Sequence, residues 1–405
     1  MNKKLLVVIL VLSVLLAAGC AQITANSERS EDPSPRTESQ AENKTDAPGI
    51  AASPVVSKFK LEKIQGDIKS IHYADGNKVL ISADKLYLYD LSTGDVEAEA
   101  PREAFEGENY WVIDNGYVAV GVKINSGNGS GSGGLLTTNE GTAYSAVFYD
   151  RKLNNQSEFN FNALLDSDDI LSTDSFSFSS DGNQVAIATL AGLYLYDFKM
   201  DKMTTVIDLG SEDRKRSGLA TIEQIGFTNE DKTIAFKAQS LDVPSIPGKP
   251  SFDTCGTVNT DGSGLSNRTF DNYICKELTA YNKLLFLAED FTVPSGRILV
   301  METPSGKTKF HTLTEKSESG FVTGSDSGRY FATSLADKNG TGWKIRVYNT
   351  ETGKLEAEQL VSSDGKELYM ARDPKIKVID DLRTCIVLLG STQTDIETKV
   401  VVSQF

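Results

Sequence analysis

Two histidines and four cysteines in 405 residues leave little material for metal or acid–base chemistry, and too little for a disulfide scaffold. Cationic side chains are also in deficit. Forty-one Lys and Arg stand against 56 Asp and Glu, a formal charge of −15, which argues against a nucleic-acid partner because phosphate binding needs clustered cations. No apolar run is long enough to span a bilayer, since the longest, Leu5 to Leu16, has twelve residues where about 20 are needed. From residue 57 onward the chain shows no convincing helical stripe. No G-x-S-x-G elbow occurs, and no Ser/His/Asp arrangement follows from spacing.

What is present begins with a leader. Lys3 and Lys4 precede the apolar run, which ends in Leu16-Ala17-Ala18-Gly19-Cys20. Small residues before a Cys at the cut resemble the lipobox of bacterial lipoproteins, although Ala17 stands where Leu is commonest. The resemblance implies cleavage after residue 19, diacylglycerol on the Cys20 sulfur and further acylation, an anchor of more than one chain. Residues 20–56, free of aromatics and rich in Ser, Glu, Thr, Asn, Ala and Pro, read as a flexible tether. The expected place is the extracytoplasmic face of a bacterial membrane, or the outer membrane of a diderm.

Residues 57–405 read as a repeat. Near-continuous apolar runs such as Val79-Leu-Ile-Ser, Val185-Ala-Ile-Ala and Cys385-Ile-Val-Leu-Leu fit strands buried on both faces. Each follows a turn, at Asp75-Gly76, Asn115-Gly116, Asp181-Gly182, Glu230-Asp231, Tyr281-Asn282, Ser327-Gly328 and Asp380-Asp381, spaced by 40, 66, 49, 51, 46 and 53 residues. A second anchor runs in phase. Leu86-Tyr-Leu-Tyr-Asp90 recurs as Leu193-Tyr-Leu-Tyr-Asp197, with Val147-Phe-Tyr-Asp150 and Val347-Tyr-Asn349 as relatives. Four antiparallel strands per unit predict an all-β, seven-bladed propeller, with six or eight blades as the alternative. The predicted blades are 67–101, 109–164, 172–210, 220–270, 273–313, 319–372 and 374–405. The last is too short for four strands, so the alternating segment Ser57–Ile64 is expected to complete it and close the ring.

Phe176-Ser-Phe-Ser-Ser-Asp-Gly-Asn-Gln-Val-Ala186 and Val258-Asn-Thr-Asp-Gly-Ser-Gly-Leu-Ser-Asn-Arg-Thr269 resemble the repeat segments of TolB-like and WD-repeat-like propellers. Tyr-Asp stands where WD repeats carry Trp-Asp, and their Gly-His signature is absent. The resemblance implies a propeller used for protein recognition in the bacterial envelope, and its motifs shape turns, so no catalytic residue carries over.

Other motifs read as structure. Ser305-Gly306-Lys307-Thr308 lacks the upstream Gly of a phosphate loop and fits a strand-to-strand turn. Ser126–Gly134 reads as a surface loop, as do the acidic Asp166–Asp169 and Asp261 turns and the basic Asp213–Arg216 connector. His72 falls on an inner strand of blade 1 and His311 on an outer strand of blade 5, both as packed or surface residues. Cys255 and Cys275, on a third strand and the next inner strand, are expected about two strand spacings apart, roughly 10 Å. That is beyond bridging distance, so both, with Cys385, are expected as buried thiols; a disulfide stays open as the alternative, since the irregular Leu241–Ser251 segment can shift Cys255.

Inner strands begin at the channel of a propeller, where Lys69, Asp174, Glu223, Lys276 and Lys377 are expected to converge. The overall expectation is a non-catalytic, lipid-anchored propeller that binds a protein or envelope component, without metal or cofactor. The alternatives are a hydrolase, lactonase or lyase using channel carboxylates, and a cell-wall glycan-binding module.

Overall fold

The computed structural model describes residues 61–103, 105–124, 142–165, 169–210, 217–241, 253–270, 272–278, 283–289, 294–303, 305–390 and 397–405. The leader, Cys20, the tether, the Ser126–Gly134 loop and the Asp213–Arg216 connector lie outside them, as do residues 57–60.

Seven antiparallel meanders follow one another along the chain, spanning 70–101, 105–160, 176–208, 219–268, 273–312, 323–362 and 375–404. The first six have four strands each, and the strand order in every sheet is the order in sequence. This is the seven-bladed propeller expected, with blade boundaries within four residues of those expected except at the end of blade 6, whose outer strand stops at Ser362, ten residues before the expected 372.

The apolar runs work as anticipated because each blade buries both faces. In blade 1, Val79 and Ile81 pack with Ile379 and Ile386 of blade 7, while Leu80, of opposite parity, packs with Tyr110 and Tyr117 of blade 2. Seven such apolar clusters occur, one between each pair of neighbours around the ring. Closure is therefore hydrophobic: the cluster between blades 7 and 1 is equivalent to the other six, and Ile64 and Ile68 add to it.

That corrects one expectation. Blade 7 has three strands among the described residues, Lys375–Ile379, Thr384–Leu389 and Lys399–Gln404. Leu61–Lys63, the described part of the proposed closing strand, forms a 3-10 turn instead. Ile64 contributes a buried side chain to the interface and no strand pairing.

The recurring Tyr-Asp anchor ends the third strand of its blade. The Asp150 carboxylate accepts the backbone N–H of Lys152 at 2.8 Å and of Asn154 at 2.9 Å. Asp197 does the same for Lys199 and Met200, both at 2.9 Å. Hydrogen bonds from Asn154 to Asp150, and first from Met200 to Asp197, hold both carboxyls below the usual range. The aspartate thus fixes the turn into the outer strand, which is why it repeats. Ser305–Lys307 is likewise a turn between third and fourth strands, with Gly306 N–H donating to the Glu302 carbonyl at 2.7 Å. The Asp261 carboxylate accepts from Ser263 N–H at 2.9 Å and caps another turn.

The turn between the first two strands of blade 4 is strained. Asn229, Glu230 and Asp231 all sit in the left-handed region, at φ 55°, 57° and 61°. Each non-glycine residue there costs roughly 1–2 kcal/mol. Asp231 is held by the Ser180 backbone N–H of blade 3 at 2.8 Å, whereas exposed Glu230 makes only a solvent-screened pair with Lys232. Glu230→Gly is expected to stabilise the fold by about 0.5–1 kcal/mol after the entropic cost of glycine. The urea midpoint measures it.

Candidate functional site: the central chamber

The inner strands enclose a cavity of about 290 Å³ on the ring axis, lined from all seven blades. Its polar wall is built in pairs, because alternate residues of a strand share a face. Ser70 and His72 come from blade 1, Lys375 and Lys377 from blade 7. Asn109 of blade 2, Gln224 of blade 4 and Asp326 of blade 6 add single groups, and Asp174 comes from the 3-10 turn leading into blade 3. Asn109 Nδ2 donates to Asp174 Oδ1 at 3.1 Å.

The ring withdraws these groups from bulk water while leaving them room. Burial drives the His72 imidazole down to about 3, helped by the Lys377 and Lys375 charges, so the ring is neutral at physiological pH. It packs against Tyr110 at 4.9 Å between centroids. Burial lifts the Asp326 carboxyl to about 6, opposed by Lys377 and reinforced by Asp380. Asp174 opens onto the chamber, yet the surrounding blades also raise it, against the pull of Lys375 and Lys237. Burial lowers the Lys375 ammonium, against the attraction of Asp174. Ser70 Oγ, His72 Nε2 and Asp326 Oδ2 are enclosed with no hydrogen-bond partner among the described residues.

Asp174 and Lys377 line the chamber as expected. The other three do not. Lys69 precedes the first strand of blade 1 and faces away from the parity of Ser70 and His72, its backbone N–H donating to the Ser82 carbonyl at 2.8 Å. Glu223 sits where the register shifts between Ile222 and Gln224, pairing with Lys237 at 3.3 Å and accepting from Gln239 at 2.6 Å. Gln224 takes the chamber position instead. Lys276 occupies a similar shift between Cys275 and Glu277 and is exposed, leaving Leu278 on the wall. Bulges reverse the alternation, and nothing in composition announces them. Lys375 was within reach of period-2 reasoning from Lys377. His72 was placed on the right strand but read as mere packing.

Of the two cysteine readings, the structure shows the alternative and not the favoured one. Cys255 and Cys275 form a disulfide, with Cα atoms 5.8 Å apart. Counting strand spacings within a sheet was the wrong measure, because successive blades stack face to face. Both residues belong to the apolar cluster between blades 4 and 5. Cys385 is a buried free thiol, pushed up to about 12 by burial.

A ring of seven antiparallel blades around a polar axial chamber defines the chain as a β-propeller. No family model and no curated protein sequence matches it. Among solved structures it is similar to the Myceliophteria thermophila Cps50 (Swd1) β-propeller domain, with TM-score 0.53, 10% identity, and coverage of 84% of this chain and 97% of that one. At that identity the likeness is one of fold. Among the described residues no helix is long and apolar enough to cross a membrane.

Proposed function

We propose that this chain is a lipid-anchored, extracytoplasmic propeller that binds a protein or envelope component and catalyses no reaction. The observation that carries the location is the Cys255–Cys275 bridge, since structural disulfides persist mainly in oxidising compartments. The Leu16–Cys20 sequence supplies the matching anchor, and residues 21–56 a spacer. Binding is supported by the architecture, which presents loops from every blade around a rigid ring. The TolB-type turn sequences point to an envelope partner, and the acidic balance points away from nucleic acid.

Two measurements test this. Cys20→Ala is expected to move the chain from the membrane pellet to the soluble fraction and to abolish labelling by a radioactive fatty acid. Crosslinking in intact envelopes, followed by capture of the full chain, is expected to retain a defined partner that interblade loop substitutions release. A membrane-bound Cys20→Ala chain, or an empty capture, overturns the corresponding half.

A further inference from the structure

We propose that the axial chamber binds a small zwitterion, a molecule of free amino acid to dipeptide size, with its carboxylate at Lys375 and Lys377 and its ammonium at Asp174. This goes beyond the envelope-binding role, which uses the outer loops, and does not depend on it.

Three features of the chamber converge on that class. The first is the placement of charge. Both lysines project from one strand of blade 7, whereas Asp174 comes from blade 3, three blades away round the shorter arc of the seven-membered ring. A ligand between them meets positive wall on one side and negative wall on the other. A simple anion would answer only the lysine side and a simple cation only the Asp174 side. A molecule carrying both charges answers both walls.

The second is unsatisfied polar capacity. Ser70 Oγ, His72 Nε2 and Asp326 Oδ2 all border the cavity and have no protein partner among the described residues. Enclosed polar atoms are normally hydrogen-bonded. Neutral His72 carries one ring N–H and Ser70 a hydroxyl, so both can donate to a carboxylate held at the neighbouring lysines of blade 7.

The third is size. A cavity of about 290 Å³ lies at the small end of ligand sites, which run from roughly 300 to 1,000 Å³. It excludes a helix or folded partner. A metal ion is disfavoured by arrangement, because among the described residues no three His, Cys, Asp or Glu side chains converge at ligand distance.

The test is equilibrium dialysis of the full chain in detergent against radiolabelled glycylglycine and the common amino acids. Three related probes accompany them: N-acetylglycylglycine, which lacks the ammonium, glycylglycinamide, which lacks the carboxylate, and inorganic phosphate. The expected result is saturable binding of at least one zwitterion, one per chain, weakened about tenfold or more by blocking either end. Lys377→Met should weaken the zwitterion about tenfold while sparing glycylglycinamide, and Asp174→Asn should weaken the zwitterion about tenfold while sparing N-acetylglycylglycine. Both variants must keep the wild-type melting midpoint, and Lys69→Met, outside the chamber, should change nothing. Absence of saturable binding across the set overturns the proposal. So does equal binding of blocked and unblocked forms, or phosphate binding as tightly as the best zwitterion. Because the readout is a purified chain with small molecules, its failure leaves the envelope-partner reading standing, and an empty crosslinking capture leaves this one standing.

Discussion

Arg346→Met is expected to destabilise the propeller by about 3–5 kcal/mol, the range seen when one partner of a buried ion pair is removed. Arg346 lies on the third strand of blade 6 and is 3% exposed; Glu318, which it contacts, is 1% exposed. The same guanidinium reaches Glu315 at 2.7 Å and Glu358 at 2.6 Å. Glu318 also accepts from the Tyr348 hydroxyl and from Thr314 N–H, the latter at 2.9 Å. Glu315 and the 3-10 segment Lys316–Gly320 belong to the crossover from the outer strand of blade 5 to the inner strand of blade 6. One arginine therefore pins that crossover to the middle of the next blade.

Removing the cation strands Glu318 in an apolar interior, which is the source of the cost. Arg346→Met with Glu318→Gln should recover much of the loss, because the unpaired charge goes with its partner. Urea denaturation of the two variants separates these effects. A single-variant loss under about 1 kcal/mol would show that water reaches the site. Acid should act on the same cluster. Hydrogen bonds from Lys344 and then Arg346 hold Glu315 near 2, below its ordinary 4.5. Between those values the unfolded chain binds the proton and the folded chain does not. This contribution is thus full above about pH 4.5 and is lost as pH falls towards 2.

How much of this was readable beforehand depends on the kind of regularity involved. The turns at Asp75-Gly76 and Asp181-Gly182, and the aspartates ending Tyr89-Asp90 and Tyr196-Asp197, recur because each blade solves the same local problem. Local solutions leave local patterns, so blade number and boundaries could be placed. Alternation picked out Lys377, missed Lys69 by one residue, and failed at Glu223 and Lys276, where the strands bulge; Asp174 reaches the chamber from a 3-10 turn that alternation does not describe. Asp326 was missed because it sits past the short inner strand Thr323–Gly324, in a turn. Arg346 and its glutamates carry no signal at all, since they are 28 to 31 residues apart or on neighbouring strands, and only the folded crossover brings them together.

Replacing Cys255 and Cys275 together by Ala is expected to cost about 3 kcal/mol, the chain-entropy value for a loop of this length. The two are 20 residues apart, and the bridge ties the third strand of blade 4 to the inner strand of blade 5. Alanine is the proper substitute, because serine would place hydroxyls in a cluster made of Ala235, Leu285, Leu287, Leu299 and Met301. The side chains are 0% and 1% exposed, so a reductant reaches the sulfurs only when the interface between these blades opens. Reduction of the native chain should then be slow and should accelerate in urea in step with local unfolding, whereas an exposed bridge would reduce at once. Chain made in a reducing cytosol should resemble the double-Ala variant, and oxidation should restore its urea midpoint. Equal midpoints for the bridged and bridgeless proteins would remove the disulfide from the account of stability. They would also take away the strongest support for placing this propeller outside the cytoplasm.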